Sequence, residues 1–121
     1  SRTVNNYSDF AYCVINKNQT VTKIMEKKTI SNDPANDQMV VGTFWFRKSK
    51  NFFISCELGK KKKYYINKEL YVANNINILI KKGLKVKFLE VDFWINFGDA
   101  HDFNSFIYWQ NFFFETNYLK I

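Results

Sequence analysis

His101 is the single histidine of the chain and lies in Gly98-Asp99-Ala100-His101-Asp102. An imidazole between two carboxylates is the raw material of a metal site or of an oriented acid–base pair. A structural metal site normally needs four ligands, and no second histidine or closely spaced cysteine pair completes one. Cys13 and Cys56 are the only cysteines and form no C-x-x-C. One bridge and two separate buried thiols are both compatible with that spacing. No nucleophile elbow, phosphate loop, dinucleotide fingerprint or H-E-x-x-H is present. The expectation is therefore a binding module rather than an enzyme, without metal or cofactor.

The middle of the chain carries a different chemistry. Twelve of the 18 basic residues lie between Gly42 and Glu90 against Glu57, Glu69 and Glu90, a local balance of +9. The last 31 residues hold Lys120 against four acids, a balance of −3. A field segregated in this way points to a polyanionic or acidic partner. Aromatic residues are interleaved with the charges, and flat rings beside cations suit stacking on bases and contact with phosphates. The candidate binding residues are Trp45, Arg47, Lys48, Lys50, Phe53, Lys60, Lys61, Lys62, Lys63 and Tyr65. Base-specific readers lean on arginine, and only Arg2 and Arg47 exist here. Binding through lysine would be salt-sensitive and tolerant of sequence. The A/T-rich codon residues Lys, Asn, Ile, Phe and Tyr make up 62 of 121 positions, so part of the lysine excess has a compositional origin.

At 121 residues the chain suits one main domain. Residues 1–38 are expected to pack as an N-terminal extension on a domain spanning 39–121. Asp9–Ile15 reads as a strand or a helical turn or two, Thr20–Met25 as a strand, and Ser31–Gln38, with the single proline, as a loop. Val40 to Phe46 and Phe52 to Leu58 alternate on both sides of Lys48-Ser49-Lys50, which predicts a β-hairpin. With a three-residue turn the register sets Phe44 opposite Ile54 and Phe46 opposite Phe52 inside. Trp45 then faces Phe53 outside, and Arg47 faces Asn51. A basic turn, Gly59–Lys63, leads to a short third strand, Tyr64–Ile66. Asn67 is a good helix cap before Leu70, Ala73, Ile76 and Ile80, and Gly83 follows Lys81 and Lys82 as a stop. Asn74, Asn75 and Asn77 weaken that helix. Leu84 to Phe97 reads as a long strand with a bulge at Phe88-Leu89, Gly98–Asn104 as a turn, and Ser105–Ile121 as a last strand apolar on both faces. The sum is a mainly β (α+β) fold, a small five-stranded antiparallel OB-like barrel with one helix.

Gly42-Thr43-Phe44-Trp45-Phe46, then Lys50-Asn51-Phe52-Phe53-Ile54, then Tyr64-Tyr65-Ile66-Asn67 resembles the cold-shock domain over residues 39–91. The glycines flanking that family's first aromatic motif are missing here, and Asn67 stands where the family usually has histidine. The resemblance implies stacking of bases on Trp45, Phe53 and Tyr65, with phosphates on Arg47, Lys50 and Lys60 to Lys63. The implied function is sequence-tolerant binding of single-stranded nucleic acid. The alternative comes from composition. An A/T-biased, aromatic-rich small chain that starts at Ser1 is similar to small secreted parasite effectors of the phytoplasma type. That resemblance implies an adaptor that grips an acidic host protein by the basic hairpin side and another protein by the aromatic C-terminal side. On this reading the start at Ser1 reflects a removed signal peptide and secretion. No apolar run approaches the ~18 residues of a membrane span, so no membrane partner is expected.

Overall fold

The computed structural model describes residues 7–116. Among the described residues the chain forms two antiparallel strands, β1 (Ala11–Ile15) and β2 (Val21–Glu26), and three α-helices, α1 (Ser49–Lys61), α2 (Val72–Lys81) and α3 (Ala100–Glu115). Its contacts divide it into two units, Ser1–Leu89 and Glu90–Ile121. The open two-stranded sheet and the helices replace the expected OB-like β-barrel, and the fold is not mainly β.

The sheet is a hairpin closed by Asn16. Its side-chain carbonyl accepts from the backbone of Asn18 and Thr20, each at 3.0 Å, and Gln19 takes a positive φ of 54° to finish the turn. Both outer edges of the hairpin are occupied. On the β1 side, Cys13 N donates to Gln38 O and Val40 N to Ala11 O, each at 2.8 Å. On the β2 side, Val21 N donates to Val86 O at 2.9 Å. Short extended pieces thus cap edges that would otherwise invite pairing with other chains.

Helix α2 packs against β2 and α1. Ala73 and Ile76 join Ala11, Val21 and Ile24 in the core, with Val40, Phe44, Phe46, Ile80 and Phe88 packed around them. Asn75, Ile78 and Leu79 are buried as well. A helix with burial this broad belongs in the centre of a unit, with neighbours on more than one side. Its end is a Schellman motif: Gly83 N donates to Ile80 O and Leu84 N to Leu79 O, with Gly83 at φ +82°. The glycine stop is therefore where the sequence places it. The start is not. Asn67 (φ 50°) and Lys68 (φ 66°) form a tight turn between Ile66 and Glu69, whose backbones exchange two bonds of 2.9 Å. Positive φ at both central residues is the type I′ signature, so Asn67 turns the chain and Tyr71 precedes the helix.

The expected hairpin across 40–58 is absent. Residues 43–46 carry no strand ladder, and Ser49–Lys61 is helical. The expected register is lost with it, although Phe46 and Phe52 still meet edge-on at 5.5 Å. The buried residues of α1 are Ser55 and Gly59, spaced one turn apart. They let the two helices approach so closely that a Cβ on Gly59 would lie 2.2 Å from Asn75 Oδ1. Lys60 and Lys61 sit in the last turn of α1, where cations complement the helix dipole. Tyr64–Ile66 forms no third strand, and 84–97 is irregular apart from the isolated bridge at Lys87.

In the second unit, Asp99 caps α3 by accepting from Asp102 N at 2.8 Å, and the Asp102 carboxylate accepts from the Asn96 side-chain amide. Phe97 packs edge-on against Phe103 and Phe106 at 5.6 and 5.1 Å. The expected turn over 98–104 and strand from Ser105 are thus mostly one capped helix. Residues 117–121 of that expected strand lie outside the described residues, as does Arg2.

Candidate nucleic-acid interface

Phe44 and Phe46 pack on the core, and the residues between and beyond them, Trp45 and Arg47, are exposed. Trp45 is 82% exposed, and Arg47 and Lys48 are exposed after it. Helix α1 then begins. Lys50 and Phe53 occupy one side of its first turns, one helical step apart, and Phe53 is 62% exposed with its ring held edge-on to Phe52 at 5.5 Å. Lys60, Lys61, Lys62 and Lys63 are exposed at its far end, and Tyr65 is exposed just beyond. The chain thus places Trp45 and Phe53 on a lead-in segment and a helix, not opposite one another on two strands.

The lysine run also ends the helix. Lys62 is the C-cap, Lys63 N donates to Lys60 O, and Tyr64 N donates to Gly59 O. This is the same Schellman pattern as at Gly83, with Lys63 at φ 56° in the glycine position. Lys81 from α2 reaches across to donate to the Tyr64 hydroxyl at 3.0 Å. That hydrogen bond and the lysine's charge hold the Tyr64 hydroxyl below its ordinary pKa.

Beside Phe53 lies an open groove of about 610 Å³, lined by Lys50, Phe53, Ile54, Glu57, Leu58 and Lys82. Its walls are largely apolar, and its charged groups are Lys50, Lys82 and Glu57. The groove brings Lys50 and Phe53 together as candidate contacts. Lys82 and Glu57 are members that the sequence reading missed. The only signal for Glu57 was its helical spacing from Phe53. Lys82 joins from the end of another helix, and no local pattern announces that.

Asp99 and Asp102 are engaged at the start of α3. Among the described residues no three His, Cys, Asp or Glu side chains gather to hold a metal. Cys13 and Cys56 are free thiols, and burial pushes Cys13 up. Among the described residues no helix is long and apolar enough to cross a membrane.

Comparison of the chain with family models, with curated proteins and with solved structures finds no match.

Proposed function

We propose that the first unit binds single-stranded nucleic acid through the face built by residues 45–53, α1 and the turn after it. The observation that carries this is the exposure of three separate rings, Trp45, Phe53 and Tyr65, among exposed cations. A ring left in water beside lysines is costly as surface and useful as a stacking platform. Lysines supply phosphate contacts without reading bases, so affinity falls steeply with salt and sequence preference is weak. The unit carries 17 basic residues against six acids, which adds long-range attraction for a polyanion.

The test is fluorescence anisotropy with labelled single-stranded DNA and RNA at about 50 and about 200 mM salt. Wild type is compared with Trp45→Ala and with Lys60 to Lys63 replaced by Gln. Binding that weakens with salt and in both variants supports the reading. Absence of binding at the lower salt sinks it.

A second reading, a protein-binding adaptor, is favoured by the second unit. Tyr108, Trp109 and Phe114 are 63%, 53% and 61% exposed on α3, and no residue of that helix is buried. Exposed aromatics of this kind are typical anchors of protein interfaces.

A further inference from the structure

We infer that the groove along α1 is a single-nucleotide subsite that prefers guanine. The base stacks on Phe53, its Watson–Crick edge meets Glu57, and its phosphates meet Lys50 and Lys82. This rests on the nucleic-acid reading of the first unit and adds a base preference to it.

Glu57 is the reason to look here. A carboxylate on a phosphate-binding face repels the ligand's backbone and weakens affinity unless it takes a contact of its own. Glu57 is exposed and lines the same groove as Phe53, Lys50 and Lys82. Along the helix, Lys50, Phe53 and Glu57 follow one another at steps of three and four residues, so they share a face. Lys50 and Glu57 are seven residues apart, about 10 Å along the axis. That matches the reach of a nucleotide from its phosphate to the far edge of its base, with the ring of Phe53 between. Lys82 arrives from the end of α2 and places a second cation on the groove.

The carboxylate then selects the base. An ionised glutamate is an acceptor only, with two oxygens. Guanine is the one base whose Watson–Crick edge offers two adjacent donors, N1–H and the N2 amino group. Adenine and cytosine each offer an amino group next to a ring nitrogen acceptor, which would face a carboxylate oxygen. Uracil and thymine offer one N–H flanked by carbonyls. Reading this edge on an unpaired, stacked base is how single strands are recognised with specificity.

The experiment uses the whole chain and fluorescein-labelled strands of about nine nucleotides, within the range one small binding fold covers. The strands are oligouridine and the same strand with one central guanosine, adenosine or cytidine. The guanosine strand is expected to bind about tenfold or more tightly than the others, the usual scale of a good bidentate contact. Glu57→Gln is expected to remove that preference and to leave affinity for oligouridine unchanged or higher, because a repulsive charge is gone. Glu57 is exposed, so the variant keeps its fold, checked by circular dichroism. Equal binding of all four strands, or a guanosine preference that survives Glu57→Gln, overturns the subsite and leaves the nucleic-acid reading intact. No binding of any strand by wild type overturns both.

Discussion

Asn77 of α2 holds the backbone of Ile24 in β2 with both ends of its side-chain amide. Its Oδ1 accepts from Ile24 N at 2.8 Å, and its Nδ2 donates to Ile24 O at 2.9 Å. Ile24 pairs with Cys13 across the hairpin, and Cys13 N turns away to Gln38. The pair is therefore of the non-hydrogen-bonded kind, and the Ile24 backbone groups face the outer edge of β2. A side-chain amide has the geometry of a peptide, so Asn77 stands in for one residue of a neighbouring strand. The same Nδ2 also reaches Asn74 Oδ1 at 3.3 Å, and Asn74 Nδ2 reaches Tyr64 O at 3.2 Å. Two of the asparagines that weaken α2 as an isolated helix, Asn74 and Asn77, thus dock it.

Asn77→Ala is therefore expected to destabilise the first unit by about 2–3 kcal/mol, because two hydrogen bonds go and the partly buried Ile24 groups are left unpaired. Asn77→Asp is expected to cost a similar amount, since it keeps the acceptor but sets a carboxylate against the Ile24 carbonyl. Urea denaturation midpoints of both variants check this.

Gly59 and Asn75 form a coupled pair. Asn75 is 1% exposed, and neither polar atom of its side chain has a partner. A Cβ on Gly59 would collide with it at 2.2 Å. Gly59→Ala is expected to cost about 1–3 kcal/mol by overpacking. Asn75→Ala is expected to be neutral or stabilising, since it removes an unsatisfied buried amide. In Gly59→Ala/Asn75→Ala most of the first cost should vanish, a coupling of about 0.5–3 kcal/mol in a double-mutant cycle. Additive effects would refute the contact.

Lys63 occupies a left-handed position that glycine holds in the equivalent motif of α2. Left-handed backbone costs a side-chain-bearing residue roughly 1 kcal/mol. Lys63→Gly is expected to raise thermal stability, and Gly83→Ala to lower it by a comparable amount. A melting curve decides both, and Lys63→Gly should weaken oligonucleotide binding only as much as one lost charge allows.

Two tyrosines should titrate far apart. The Tyr71 hydroxyl donates to the Glu69 carboxylate, and this bond, then desolvation, pushes Tyr71 up to about 12. Tyr64 is held below its ordinary value by Lys81. A raised folded value means that the Tyr71–Glu69 contact stabilises the fold fully below the ordinary tyrosine pKa of ~10. That contribution fades as pH rises through about 12. Phenolate absorbance of Tyr71→Phe and Tyr64→Phe against wild type should remove the late and the early part of the titration, respectively.

The parts of the fold that could be read in advance are those with local causes. Val21–Glu26 is β-branched at its start, and Gly83 stops α2, whereas Pro34 opens a short 3-10 turn, Pro34–Asn36, inside the expected loop. The alternation that turns Phe44 and Phe46 inward and Trp45 outward is real, although no ladder accompanies it. Helices α1 and α3 read as strands for one reason. With 13 Phe in 121 residues, apolar side chains satisfy period-two and helical templates at once. Phe52, Ile54, Cys56 and Leu58 look like one face of a strand, whereas the residues that α1 buries, Ser55 and Gly59, are small and carry no hydrophobic signal. For α3, the Asp99-x-x-Asp102 cap lies inside the stretch that reads as a turn, and it starts a helix instead.

The amino-acid sequence by itself determined the charge segregation, the candidate rings and lysines, and the point where α2 ends. Those depend on composition or on neighbours within a few residues. Tertiary structure alone decided that residues 49–61 coil, because the close seat of Gly59 on Asn75 exists only once α2 is in place. It also decided that Asn77 completes the edge of β2 from 53 residues away, and that Lys82 shares a groove with Phe53. A hydrogen bond or a charge pairing across such separations depends on where the elements come to rest, and no residue near either partner in the chain carries that information.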